Sequence, residues 1–115
     1  TAIIDGTGRK SEMAGVIEGN VRLTKKLGPF GYVDLKTNTD SLLGARDTGF
    51  KGHEFHYSAA ENNGDGLTAV KPGGKRWSVG HLGENLYAGY PHLYFYSSPE
   101  MVLSIVDAIR KRKLK

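Results

Sequence analysis

Sixteen of the 115 residues are glycine, about twice the usual share of roughly 7%, and glycine at that density breaks a backbone into short extended pieces joined by tight turns. A strand-rich, turn-rich body follows. Turn clusters mark the joints: Asp5-Gly6-Thr7-Gly8 behind the apolar Ala2-Ile3-Ile4, then Gly28-Pro29, Thr37-Asn38-Thr39-Asp40, Glu61 to Gly66, and Val70 to Lys75. Between them the pattern predicts a strand over Met13 to Leu23 interrupted at Gly19-Asn20, a second over Phe30 to Asp34, a third around Ser41 to Leu43, and a hairpin strand at Leu67 to Val70.

Two further extended stretches carry the polar chemistry. In His53 to Ser58, period-two alternation sends Glu54, His56 and Ser58 to one face and His53, Phe55 and Tyr57 to the other. The aromatic stretch Gly83 to Ser98 reads as a strand with His92 in its middle, Tyr90, His92, Tyr94 and Tyr96 on one face, and Leu93 and Phe95 on the other. The chain then turns helical. Ser98 caps, Pro99 suits the first helical position, and Glu100 complements the positive end of the dipole. Val102, Ile105, Val106 and Ile109 follow at helical spacing, so an amphipathic helix is predicted from Pro99 to about Lys111.

A chain of this length makes one domain or a piece of one. With 38% hydrophobic and 24% charged residues it belongs with folded chains rather than disordered ones. Its apolar stretches are far shorter than a bilayer span, and no signal-peptide pattern follows Thr1, which together predict a cytoplasmic location without a membrane partner. The formal charge of +4 does not make a nucleic-acid surface. Five positive side chains sit in the final run Arg110-Lys111-Arg112-Lys113-Leu114-Lys115, without which the remainder is −1.

The chain has no cysteine, which excludes disulfides, thiolate zinc sites and any thiol nucleophile supplied by these residues. Among the groups that remain, Glu54 and His56 share a strand face but have the spacing HExH rather than the helical HExxH. Two ligands fall short of the three that a catalytic zinc uses, so no metal site is predicted. His92 stands on a strand that leads to a helix, a place where folds of this class put reactive groups, although a histidine among tyrosines also serves as a packed, hydrogen-bonded residue. His81 reads as a surface loop residue, and Trp77, behind Lys75-Arg76, as a cation partner or an exposed anchor.

The segments GFKGHEFHYS (Gly49 to Ser58) and AGYPHLYFYSSPEMV (Ala88 to Val102) together resemble two motifs of cobyrinic acid a,c-diamide synthases. In these a GHEFHYS stretch precedes A-x-Y-x-H-L-H-F, a small polar pair and proline. Met13-Ala14-Gly15-Val16 and the LGPFGY stretch, Leu27 to Tyr32, resemble further segments, so the likeness covers nearly the whole chain. The resemblance implies an α/β fold: residues 1–115 as the C-terminal part of a class I glutamine amidotransferase-like layered domain, strand-rich with a terminal amphipathic helix. The nucleophile half and the ATP-binding synthetase domain would lie upstream of Thr1.

It further implies an amide ligase that consumes ATP and glutamine and amidates the a and c carboxylates of a corrin precursor in cobalamin biosynthesis. ATP and magnesium would belong to the synthetase domain, with no cofactor in these residues. His92 would pair with the family's cysteine, and Glu54 and His56 would orient groups or touch substrate near the site. One position departs from the pattern: the second histidine of H-L-H-F is Tyr94. Two other readings stand beside this one, a non-catalytic binding module that keeps the fold, and amidation of a related tetrapyrrole such as nickel sirohydrochlorin. Strand edges cut from a larger sheet could also pair with a second copy.

Overall fold

The computed structural model describes residues 1–113; Leu114 and Lys115, the end of the basic run, lie outside them. The chain is α/β, strand-rich, with one α-helix at its C-terminal end among the described residues. Its centre is a five-stranded sheet of β4 (Gly31–Thr37), β5 (Gly49–Glu54), β7 (Leu67–Val70), β8 (Arg76–Val79) and β11 (His92–Tyr94), ordered β11-β5-β4-β7-β8 with every neighbour antiparallel. A smaller sheet joins β1 (Ala2–Ile4), β2 (Lys10–Glu12), β3 (Val21–Leu23) and β6 (Ser58–Ala60) in the order β2-β1-β3-β6, with β1 and β3 parallel. A hairpin of β9 (His81–Gly83) and β10 (Leu86–Ala88) stands apart from both sheets. After β11 a 3-10 turn, Phe95–Ser97, leads into α1, Pro99–Lys113.

Alternation explains the central sheet. Along β4, Val33, Leu35 and Thr37 point inward and are buried while Tyr32, Asp34 and Lys36 face solvent. Phe50 and Glu54 of β5, Leu67 and Ala69 of β7, and Val79 of β8 join the inner side. That side packs with Leu43 and Met101 into one core, and Trp77, Leu82, Tyr87, Leu93 and Ile105 close around it. Met101 is wholly buried, a burial that stabilises by about 1.5–3 kcal/mol. Thr37 is a polar member of this face, as Glu54 is. Its hydroxyl donates to the Ala45 carbonyl at 2.8 Å and accepts from the Thr48 amide at 3.0 Å, which clasps the 38–48 loop against the sheet.

Several expectations need correction. The strand expected over Met13 to Leu23 forms only at Val21–Leu23, because residues 13–20 have no partner strand alongside them and run as bends and irregular chain. No strand forms at Ser41 to Leu43. There the chain makes a tight turn closed by a bridge between Ser41 and Gly44, and Leu43 drops into the core from the turn. The aromatic stretch Gly83 to Ser98 divides into hairpin, β11 and 3-10 turn, so His92 begins its strand instead of sitting mid-strand. The helix starts where predicted, with the Ser98 hydroxyl accepting from the Met101 amide at 3.3 Å. Its buried side runs through Met101 and the half-buried Val102 and Ile105, whereas Val106 and Ile109 are exposed. No helix among the described residues is long and apolar enough to cross a membrane.

Candidate functional site

Strand register decides which polar side chains meet. On the outer face of the central sheet Tyr32 of β4 pairs with His53 of β5, and His53 pairs with His92 of β11, so the three stand in one row across three strands. The His53 and His92 ring centroids are 6.4 Å apart at 75°, and those of Tyr32 and His53 are 5.1 Å apart at 58°. His92 is exposed to solvent, His53 half-buried. In the row below lie Asp34, Lys51 and Tyr94, with an exposed Lys51–Asp34 ion pair that contributes little to stability. The Lys51 amide donates to the Ser97 hydroxyl at 2.8 Å, fastening β5 to the turn that follows β11.

Glu54 points the other way. It is 1% exposed, and both carboxylate oxygens are engaged. Oε2 accepts from the Trp77 indole N–H at 2.8 Å, and Oε1 lies 3.1 Å from His56 Nε2. His56 Nδ1 lies 2.9 Å from the Ser58 carbonyl. A carbonyl only accepts, so the hydrogen-bond network assigns a hydrogen to Nδ1 in that contact. The Tyr90 ring stacks on His56 at 3.5 Å and 4°, and its hydroxyl meets the Ser58 hydroxyl at 2.7 Å. Tyr87 completes the group: its hydroxyl donates to the Pro91 carbonyl at 2.6 Å. Burial, reinforced by the negative charge of Glu54, pushes that hydroxyl well above its usual range, which keeps it a donor.

Of the predicted site residues, Glu54 and His56 therefore come together, bonded to each other, while His92 belongs to the opposite face with His53. Glu54 faces the inner side of the sheet, away from the His92 ring. Alternation along β5 places Glu54 opposite to His53, and His53 is the residue that faces His92. Tyr90 likewise leaves the His92 row, because the chain bends at residues 89–90 and carries its ring to His56. Among the described residues no three His, Asp or Glu side chains converge as metal ligands. His81 lies in a strand, with Nε2 3.0 Å from the Asn62 carbonyl. Trp77 is neither a cation partner nor an exposed anchor but the donor to Glu54. A buried indole N–H needs an acceptor, yet nothing in the sequence says which.

Over 114 residues the chain is 32% identical to the cobyrinate a,c-diamide synthase of Streptococcus sanguinis, a match covering 95% of this chain and 25% of that protein. The enzymes of the same name from Listeria monocytogenes and Priestia megaterium are 35% and 36% identical over 105 and 104 residues, covering 87% and 89% of this chain and 23% of each relative. This chain is a relative of the cobyrinate a,c-diamide synthases. It spans about a quarter of the length of the curated synthases it matches. No family model matches, and no solved structure matches. The two synthase-like motifs are joined in the fold: GHEFHYS starts within β5, HLY is β11, and the two strands pair directly. Tyr94, at the position where the synthase motif has its second histidine, is exposed and packs its ring edge-on to Tyr96 at 6.1 Å.

Proposed function

We propose that this chain supplies the histidine half of a glutamine-hydrolysing site, within a layered amidotransferase domain, in an ATP-dependent ligase that amidates the a and c carboxylates of a corrin precursor. The relation to cobyrinate a,c-diamide synthases along most of the chain supports the class of enzyme. The observation that carries the site is His92, exposed at the head of β11, on the strand that pairs with the GHEFHYS segment. A free thiol is a weak nucleophile at neutral pH, and an imidazole beside it removes the proton. In this reading His92 takes the proton of a cysteine thiol as sulfur attacks the side-chain amide carbon of glutamine. It then returns the proton to the departing nitrogen, releasing ammonia and leaving a thioester that water hydrolyses.

The thiol comes from polypeptide outside these 115 residues, which contain no cysteine. Glu54 and His56 act behind the sheet as orienting groups rather than in proton transfer, because both are already committed to hydrogen-bond partners. ATP and magnesium serve the carboxylate-activating chemistry. Such a ligase, fed by ATP and glutamine, works in the cytoplasm.

The test compares two nitrogen donors in the ligase that carries this stretch. His92→Ala lowers glutamine-dependent amidation by roughly 10²- to 10⁴-fold, the usual worth of a positioned acid-base group, and leaves ammonia-dependent amidation in place. Equal loss with both donors would make His92 a structural residue and overturn the reading.

A further inference from the structure

His92 carries its ring on an open face, yet the backbone that enters it is held from the buried side. We propose that Tyr87 and Tyr90 are positioning residues for His92, clamping the two residues that lead into it; this rests on the reading of His92 given above. The Pro91 carbonyl and the His92 amide belong to one planar peptide unit. The 2.6 Å bond from the Tyr87 hydroxyl to the Pro91 oxygen therefore sets the plane from which the His92 Cα projects. Proline fixes its own φ and restricts the residue before it, so Tyr90 and Pro91 lead into His92 with little backbone freedom of their own.

Tyr90 anchors the other end of that segment. Its ring lies flat on His56 at 3.5 Å and its hydroxyl meets Ser58 at 2.7 Å. The stack is itself anchored, because both nitrogens of His56 are engaged and the carboxylate behind it is held by the Trp77 indole. Pro91 is buried between these two anchors. On the neighbouring strand β5, Gly52 admits the His92 carbonyl so closely that an added Cβ would lie 2.9 Å from that oxygen. The imidazole is thus exposed for chemistry while its backbone is held through Pro91, through Tyr90 and by pairing with β5, which is the arrangement that holds a proton acceptor in line with its nucleophile. It also gives the closed Glu54–His56 pair a role: the pair is the platform on which Tyr90 rests.

The experiment uses the intact ligase and three substitutions. Tyr87→Phe keeps the ring and removes only the hydroxyl. Tyr90→Leu removes the stack, and Tyr90→Phe keeps it. Small misplacement of a catalytic group costs up to about a hundredfold in rate, so Tyr87→Phe and Tyr90→Leu lower kcat for glutamine-dependent amidation by roughly tenfold to a hundredfold. KM for glutamine and the ammonia-dependent rate stay as in the unaltered enzyme, and Tyr90→Phe recovers most of the loss. Unchanged kcat in both Tyr87→Phe and Tyr90→Leu would overturn the proposal. So would a loss confined to KM and the melting temperature, which marks a packing role alone. Should Tyr90→Leu not fold, Tyr87→Phe decides the matter. Failure of the underlying reading has its own signature: His92→Ala would then leave glutamine-dependent amidation intact, whereas failure of the positioning role leaves the His92→Ala effect intact.

Discussion

Gly52 shows how a single residue sets the geometry between two strands. A Cβ there would lie 2.4 Å from Leu35 Cδ1 on one side and 2.9 Å from the His92 carbonyl on the other. Leu35 is 2% exposed and packs within the core. Gly52→Ala must therefore push β11 outward or force Leu35 off its rotamer, and a cost of about 1–3 kcal/mol is expected from such overpacking. Chemical denaturation of the purified chain measures it; an unchanged midpoint would show that the strands can part without penalty. Gly52 stands within GHEFHYS, and the sequence shows only that it precedes two histidines and a glutamate. The reason it must be glycine, the approach of a strand far along the chain, belongs to the pairing of β5 with β11.

Helix α1 is the element most legible in the sequence. Cap, first-turn proline and first-turn acid all act within one turn of the helix start, so the residues themselves specify where it begins. Removing the cap hydroxyl in Ser98→Ala leaves the Met101 amide without its 3.3 Å acceptor and is expected to cost about 1 kcal/mol, read as a lowered melting temperature. A melting temperature equal to that of the parent chain would mean the 3-10 turn ahead of the helix satisfies that end by itself. The buried face is less legible. Apolar spacing nominates Val106 and Ile109, but Ile109 is 61% exposed, because the sheet and loop cover only the side that bears Met101 and Ile105. The strand expected across Met13 to Leu23 fails for a similar reason: β-propensity expresses a fit to a neighbouring strand, and only Val21–Leu23 has neighbours, in β1 and β6.

For the whole chain, the proposed chemistry makes a simple demand. Without a thiol among its 115 residues, the purified chain is expected to release no ammonia from glutamine above the uncatalysed rate, measured by a coupled ammonia assay. Release that tracks the chain through purification would contradict a cysteine-based mechanism. At this scale the division between sequence and fold is clear. Glycine-rich turns, the hairpin strand at Leu67 to Val70, the centre of β4 and the helix start were all legible in the residues themselves, since turn and cap signals are local and period-two alternation marks a strand wherever its partner lies. Which histidine faces which was decided by tertiary pairing. Alternation correctly put Glu54 and His56 together and His53 apart from them, but only the β5–β11 register brings His53 against His92. Trp77 reaches Glu54 across 23 residues of chain, and Tyr90 lies on His56 because of a bend that no local pattern announced. Side-chain direction along a strand follows from backbone geometry alone, whereas the identity of the neighbouring strand is a property of the whole packed core.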